Sequence, residues 1–422
     1  MTANRIHQQG ATASLPGKGG MKRSVLWNSF GSGMNALFYT ILLMVVNRIR
    51  GAEDGGLFAS AYAVAMLMWT IGNFETMTYQ ATDVRNRYAF SNYIAVKIFL
   101  CILMMLAALI TVLLRGQALY PSLLCLLFCL YKALEAFSDV FYANFQKRER
   151  LDLGGFSMAL RTMLAMVAFT LGLIFTESLA VSLLLACAVT LLWIFLFDLH
   201  LTQRVDSPRP VFDRQAFRGI LGDCFPLFLS AFLLMYLTNL PKYTIDRLFD
   251  PVMQDYFSTL FMPASFINLV SIFAFRPLLT SLADAWQQSE KARFSKIALR
   301  LYLLIAGLTL LAVAAAGIVG IPVLSFLYHV DLTAYRQPLM IIMAGGGFSA
   351  CITFSVNMLT SMRYQRRLLL GYLLSVIPCR LLSDPLVTEG MTGAALLYLL
   401  AMGLTAVALL GVVRISMSTQ KT

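Results

Sequence analysis

Charge is scarce in this sequence. Of its 422 residues, 13% are Asp, Glu, Lys or Arg and 59% are hydrophobic, with a mean hydropathy of +0.74. A soluble domain carries about 25% charged residues, so an ordinary water-soluble globule is excluded. Histidine is nearly absent: His7, His200 and His329 stand far apart and form no metal centre. Seven cysteines (Cys101, Cys125, Cys129, Cys187, Cys224, Cys351 and Cys379) lie in or beside apolar runs without a CxxC pair. That excludes a disulfide framework and a zinc site, and Cys125 and Cys129, one turn apart, read as buried apolar thiols. No GxxxxGK[ST] occurs, so no nucleotide engine is built in. No connector is long enough to fold as a soluble domain. Residues 1–20 lack the apolar core of a signal peptide. They read either as a disordered tail or as sequence upstream of a start at Met21. Neither metal nor cofactor is expected.

What is present is a succession of apolar runs of about 20 residues, each enough to cross some 30 Å of hydrocarbon as helix. Strand alternation is missing, which argues against a barrel. The expected fold is an all-α polytopic membrane protein of about twelve transmembrane helices. They lie near 24–47, 56–74, 93–114, 119–145, 156–176, 178–200, 219–241, 254–283, 297–328, 336–361, 368–385 and 391–413. Lys and Arg gather on alternate connectors: Lys147, Arg148 and Arg150; Arg204, Arg209, Arg214 and Arg218; Lys291, Arg293 and Lys296. The opposite connectors hold far fewer, namely Arg48, Arg50, Arg115, Lys242, Arg247 and Arg336. The positive-inside rule then places both termini in the cytoplasm. The same distribution explains the net charge of +12 without nucleic acid as a partner.

The chain also repeats itself. Residues 46–60, VNRIRGAEDGGLFAS, fall on residues 245–259, IDRLFDPVMQDYFST, when the sequence slides by 199 positions. Arg48 meets Arg247, Phe58 meets Phe257, Asn47 meets Asp246 and Ser60 meets Thr259. The reading is two six-helix halves in the same orientation: 21–200 and 219–415, joined by a polar linker at 201–218 and followed by a tail at 416–422.

Candidate site residues are the charges that fall inside spans. Lys132, Glu135, Asp139 and Gln146 share one face of the fourth span, within roughly 60° at helical spacing. A lipid-facing charge at mid-depth costs about 2.5–3.5 kcal/mol or more, so this face looks into protein or a wet cavity. Two readings stand: an internal Lys132–Glu135 ion pair, and a cavity wall. Arg276 precedes Pro277 in the eighth span, where a kink frees carbonyls. Arg380 lies four residues before Asp384, a spacing that allows a pair near the outer surface. Lys97, Arg161 and Arg300 lie within about two turns of a cytoplasmic end, close enough to snorkel. A cavity richer in cations than in acids suits an anion.

The stretch NSFGSGMNALFYTILLMVVNRIRGAEDGGLFASAYA resembles the opening of polysaccharide flippases of the Wzx type, members of the superfamily that also holds the MATE drug exporters and the lipid II flippases. The first connector carries the pattern Arg, Gly, acidic pair, Gly, Phe. FSDVFYANFQKRER at 137–150 and NLPKYTIDRLFD at 239–250 are similar to family stretches at matching places, so the resemblance runs from Met21 through the chain. It implies a V-shaped pair of lobes around a central cavity and a non-enzymatic carrier in the bacterial inner membrane. Alternating access would move a polyprenyl-diphosphate-linked oligosaccharide to the outer leaflet for surface polysaccharide, without ATP. Proton or sodium coupling and a polysaccharide polymerase partner are further implications, with membrane lipids around the tail. On this reading Lys132, Arg276 and Arg380 are head-group contacts, with Arg161 and Arg300 behind them. Asn28 and Asn35, seven apart on the first span, add polar contacts, and tyrosines such as Tyr39, Tyr62, Tyr131 and Tyr142 offer sugar-facing walls. One alternative is a cation-coupled drug exporter. It wants an acid in the first span, and 24–47 contains none; Glu135 and Asp139 would have to serve, beside an opposing Lys132. The other is a membrane glycosyltransferase or polymerase built on the same acid pair, which the lack of a large loop disfavours.

Overall fold

The computed structural model describes residues 20–83, 87–204, 206–288, 290–362, 364 and 367–419; side chains at 21, 22, 268–270, 272–281, 283, 287, 361, 418 and 419 are outside that description. The 1–19 tail lies outside it too. Among the described residues the chain is helical throughout, without a strand. In order come α1 (Met21–Arg50), α2 (Ala52–Asn73), α3 (Thr76–Thr82), α4 (Phe90–Arg115), α5 (Leu119–Lys147), α6 (Leu151–Thr176) and α7 (Leu179–Trp193). A π-helical turn (Ile194–Leu199) leads into α8 (His200–Gln203). Then follow α9 (Arg214–Leu248), α10 (Pro251–Gln287) and α11 (Lys291–Ala315), a second π-helical turn (Ala316–Gly320), and α12 (Ile321–Tyr328), α13 (Arg336–Ser361), α14 (Leu368–Val387) and α15 (Met391–Thr419).

Ten helical runs among the described residues are long and apolar enough to cross a membrane. The two other long helices, α5 and α10, carry buried polar groups along their inner faces: Lys132, Glu135 and Asp139 on one, and Gln254, Asp255, Ser258 and Thr259 on the other. The outward surface is apolar. Leu106, Ile110 and Leu113 of α4, Leu303 and Leu310 of α11, and Leu374, Ile377 and Leu381 of α14 are all exposed. Contiguous apolar surface of this kind marks a protein that meets lipid.

Local chemistry sets the joints. Asp250 caps α10 by accepting from the Met253 amide at 2.9 Å, with Pro251 in the first turn, as helix starts favour. Gly51, at φ 85°, turns the chain between α1 and α2. The break between α2 and α3 places Phe74 and Glu75 in the left-handed region and leaves carbonyls unpaired. Lys97 fills that gap. Its Nζ donates to the Gly72 and Asn73 carbonyls, at 3.1 Å each. Lys97 is therefore buried and bonded; it does not snorkel.

Helices of the first half pack mainly on one another: α1 on α6, α2 on α5, α4 on α5, and α6 on α7. Glycines bring α1 and α6 together, since a Cβ at Gly31 would lie 2.4 Å from the Gly155 carbonyl oxygen. Small residues allow such close approach in membranes. Helices of the second half do likewise: α10 on α13, α13 on α15, and α14 on α15 and α9. Between the halves, α2 packs on α10 and α9.

Candidate functional site: a cation and tyrosine layer under a polar seal

The repeated stretch found in the sequence holds both joints, α1–α2 and α9–α10, and the two copies meet face to face. Asn47 Nδ2 donates to both carboxylate oxygens of Asp255, at 2.9 and 3.1 Å. Asp246 accepts from Ser60 and Arg115 and from Gln117 Nε2 at 3.1 Å. Arg48 donates to the carbonyls of Leu327 and Phe326, at 2.9 and 3.2 Å. Close backbone approach explains the paired glycines of this connector. A Cβ at Gly56 would lie 1.7 Å from the Pro251 carbonyl oxygen, and one at Gly55 would lie 2.0 Å from Asn47 Oδ1. A polar seal thus joins the halves at one end of the bundle.

Beneath the seal lies a layer of rings and cations. Tyr39 of α1 stacks on Tyr62 of α2 with centroids 4.0 Å apart. Lys132 Nζ of α5 sits 5.3 Å from the Tyr62 ring centre and 5.8 Å from that of Phe38. It pairs with Glu135 at 2.7 Å. Asn35 Nδ2 donates to the other Glu135 oxygen at 3.0 Å. From the second half, Lys242 of α9 places its Nζ 4.4 Å from the Phe261 ring centre and 5.6 Å from that of Tyr39. Lys242 is 4% exposed, and among the described residues no carboxylate pairs with it. Burying an ammonium without a carboxylate partner costs several kcal/mol.

The structure sorts the expected residues. It brings Lys132, Glu135 and Asn35 into one hydrogen-bonded group. Asp139 is buried a turn further along α5, under the electrostatic influence of Lys97 and Arg161. Arg161 does not reach the membrane surface: it is 1% exposed, with Nε and Nη1 unpartnered. Its guanidinium lies 5.7 Å from the Tyr142 ring centre. The backbone nitrogen of Asn28 packs against Gly155 of α6, where a Cβ would come within 2.4 Å of it. Arg380 is turned to the surface, donating to Ser383 at 2.8 Å and Asp384 at 3.4 Å, a carboxylate that Arg247 shares. Arg300 is exposed. Neither joins the layer. The side chain of Arg276 lies outside the described residues.

Sequence reading missed Lys242 because Pro241 looks like a span end; α9 runs on through both prolines, Pro226 and Pro241, to Leu248. The signal was the i, i+3, i+7 series Asn239, Lys242, Asp246, one polar stripe of a continuing helix. At the opposite end of the bundle a polar cavity of about 910 Å³ is lined by Gln80, Tyr88, Tyr93, Asn144, Lys147 and Arg148. Its cations are engaged, Lys147 with Asp83 at 3.7 Å and Arg148 with Asp206 at 2.7 Å.

No protein-family model matches the chain. A capsular polysaccharide biosynthesis protein, CapF of Staphylococcus aureus, is 22% identical over 301 residues, covering 70% of this chain and 74% of that one. Among solved structures, an inward-facing multidrug resistance MATE transporter of the MOP superfamily superposes with TM-score 0.65 at 14% identity, over 94% of this chain and 100% of that one. An outward-facing MATE transporter of the MOP superfamily gives 0.57 at 14% identity, over 95% and 96%. The chain is thus a multi-pass helical membrane protein with the fold of the MATE transporters of the MOP superfamily.

Proposed function

We propose that the chain is a flippase that moves a polyprenyl-diphosphate-linked oligosaccharide from the cytoplasmic to the outer leaflet of a bacterial inner membrane. It does so by alternating access between two six-helix lobes of twelve crossings, with both termini in the cytoplasm. The single observation that carries this reading is the pair of buried lysines, Lys132 from one half and Lys242 from the other, seated on a shared aromatic layer. A diphosphate is a compact dianion or trianion that ammonium groups bind as point charges, and tyrosine faces suit sugar rings. The seal of Asn47, Ser60, Asp246 and Asp255 closes the outer side in this state, so the head group enters from the cytoplasm. The capsule-biosynthesis relative supports the substrate class. The carrier needs no catalytic residue of its own, and a polymerase would take the product on the outer face.

A second reading, drug export, rests on Asp139, a buried carboxylate that accepts no hydrogen bond among the described residues. Native mass spectrometry of gently purified protein separates the two. A bound polyprenyl-diphosphate glycan, lost in Lys242→Met, supports the flippase. Absence of any lipid-linked glycan, with a cationic drug bound in competition with protons and released by Asp139→Asn, supports the exporter instead.

A further inference from the structure

The linker between the halves ends in a cationic patch that the ion pairs of the bundle leave open. Arg209, Arg214 and Arg218 are exposed, and none of the three has an ion pair or a side-chain hydrogen bond among the described residues. Arg214 and Arg218 stand four apart at the start of α9, where like charges on one helix face repel. The nearby acids are engaged elsewhere: Asp206 with Arg148 at 2.7 Å, Asp223 with Arg87 at 3.1 Å, and Asp213 with the Gln215 amide at 2.8 Å. Pro208 and Pro210 flank Arg209 and hold that stretch extended. Two apolar side chains project among these cations, Val211 at 52% and Phe212 at 69% exposure.

Rings fix where the patch sits. Phe212 packs on Phe217 with centroids 4.9 Å apart, and Phe217 meets Phe99 of α4 edge-on at 5.1 Å. The Val211 amide donates to the Ser91 carbonyl at 3.2 Å, which ties the linker to the same helix. Phe99 heads a stripe of exposed apolar residues, Ile102, Leu106, Ile110 and Leu113, whose three- and four-residue spacing keeps them on one face of α4. That face meets lipid, so Phe212 lies where apolar surface gives way to charge, and a bilayer presents phosphates at this level. Guanidinium groups bind phosphate oxygens in pairs, and an aromatic ring beside them enters the acyl boundary. An acidic protein would also meet the arginines, but the lipid-facing stripe beneath Phe212 sets it against the bilayer. We propose that Arg209, Phe212, Arg214 and Arg218 bind the headgroups of anionic phospholipids at the bilayer surface, at the end of the bundle opposite the seal. Asp223 of α9 also accepts from Tyr79 of α3 at 2.7 Å. A lipid held here therefore braces the place where the second half begins against the first. The surface takes no part in the proposed transport step and stands without that reading.

The test is native mass spectrometry of the full chain after exchange into equal phosphatidylglycerol and phosphatidylcholine, beside thermal unfolding in nanodiscs of each lipid. Wild type should retain phosphatidylglycerol in preference and unfold at a higher temperature in the anionic nanodiscs. Arg214→Gln with Arg218→Gln should lower that preference about tenfold or more and remove most of the thermal gain. Phe212→Ser leaves the charge intact and should still weaken retention several-fold. Arg293→Gln with Lys296→Gln removes the same charge from exposed positions of α11 and should behave as wild type does. If that control loses as much preference as the α9 pair, binding follows net charge and the site is overturned. Wild type without a preference for phosphatidylglycerol, or the α9 pair binding like wild type, also overturns it. So does poly-glutamate bound by wild type in preference to phosphatidylglycerol, since the patch would then belong to an acidic protein partner. If the double variant fails to fold, Arg209→Gln and Phe212→Ser decide by the same readout.

Discussion

Lys132 and Lys242 occupy the two ends of one aromatic stack. Lys132 lies over Tyr62, Tyr62 is stacked on Tyr39, and Lys242 lies over Tyr39. The two lysines differ in one respect: Lys132 has a carboxylate partner at 2.7 Å, while Lys242 has rings. Opposite stability effects follow from that difference.

Lys242→Met removes a desolvated cation and keeps its stem. Thermal unfolding should show a gain of about 1–2 kcal/mol, the usual size when a strained functional group is replaced. Head-group binding should fall at least tenfold, one ion contact being worth about 1.4 kcal/mol or more. A variant that is less stable and still binds glycan would show that Lys242 serves the fold.

Lys132→Met acts the other way. It strands Glu135 in a buried place, which costs about 3–5 kcal/mol. The double variant Lys132→Met with Glu135→Gln should recover most of the folded yield, measured by size-exclusion fluorescence and unfolding temperature. If the double variant folds yet no longer retains lipid, Lys132 is both a structural partner and a ligand contact.

Gly56→Ala tests the seal. The added Cβ meets the Pro251 carbonyl oxygen at 1.7 Å, so the halves cannot close fully there. Labelling of a cysteine placed by Ser60→Cys with a membrane-impermeant maleimide should rise several-fold over the Gly56 parent. Gly33→Ala, where a Cβ meets nothing within 4 Å, should leave labelling unchanged.

Asp83 stands just past α3, beyond the span that ends at Thr82. Partial burial works against its charge, but the amides of Arg87 and Tyr88 and the Lys147 ammonium outweigh that and hold its carboxyl below the usual range. A depressed carboxyl contributes stability above its unfolded pKa and loses it as pH falls through the folded one. Asp83→Asn should therefore lower unfolding temperature at neutral pH and flatten its decline toward pH 3. An unchanged acid limb would mean that other carboxylates set it.

Composition alone determined the solvent. With 13% charged residues and repeated apolar runs that lack strand alternation, membrane-crossing helices are the arrangement that satisfies the backbone. Helical spacing placed Lys132 beside Glu135, and polar connectors between apolar runs marked both joints, because local periodicity is written in one dimension. Tertiary structure decided the rest. It set Asn47 against Asp255, 208 positions apart, and carried α9 through Pro241 so that Lys242 turned inward. It buried Arg161 while leaving Arg380 at the surface. Burial and pairing across the halves depend on how ten or more helices pack together, and no single span encodes which of its charges will find a partner.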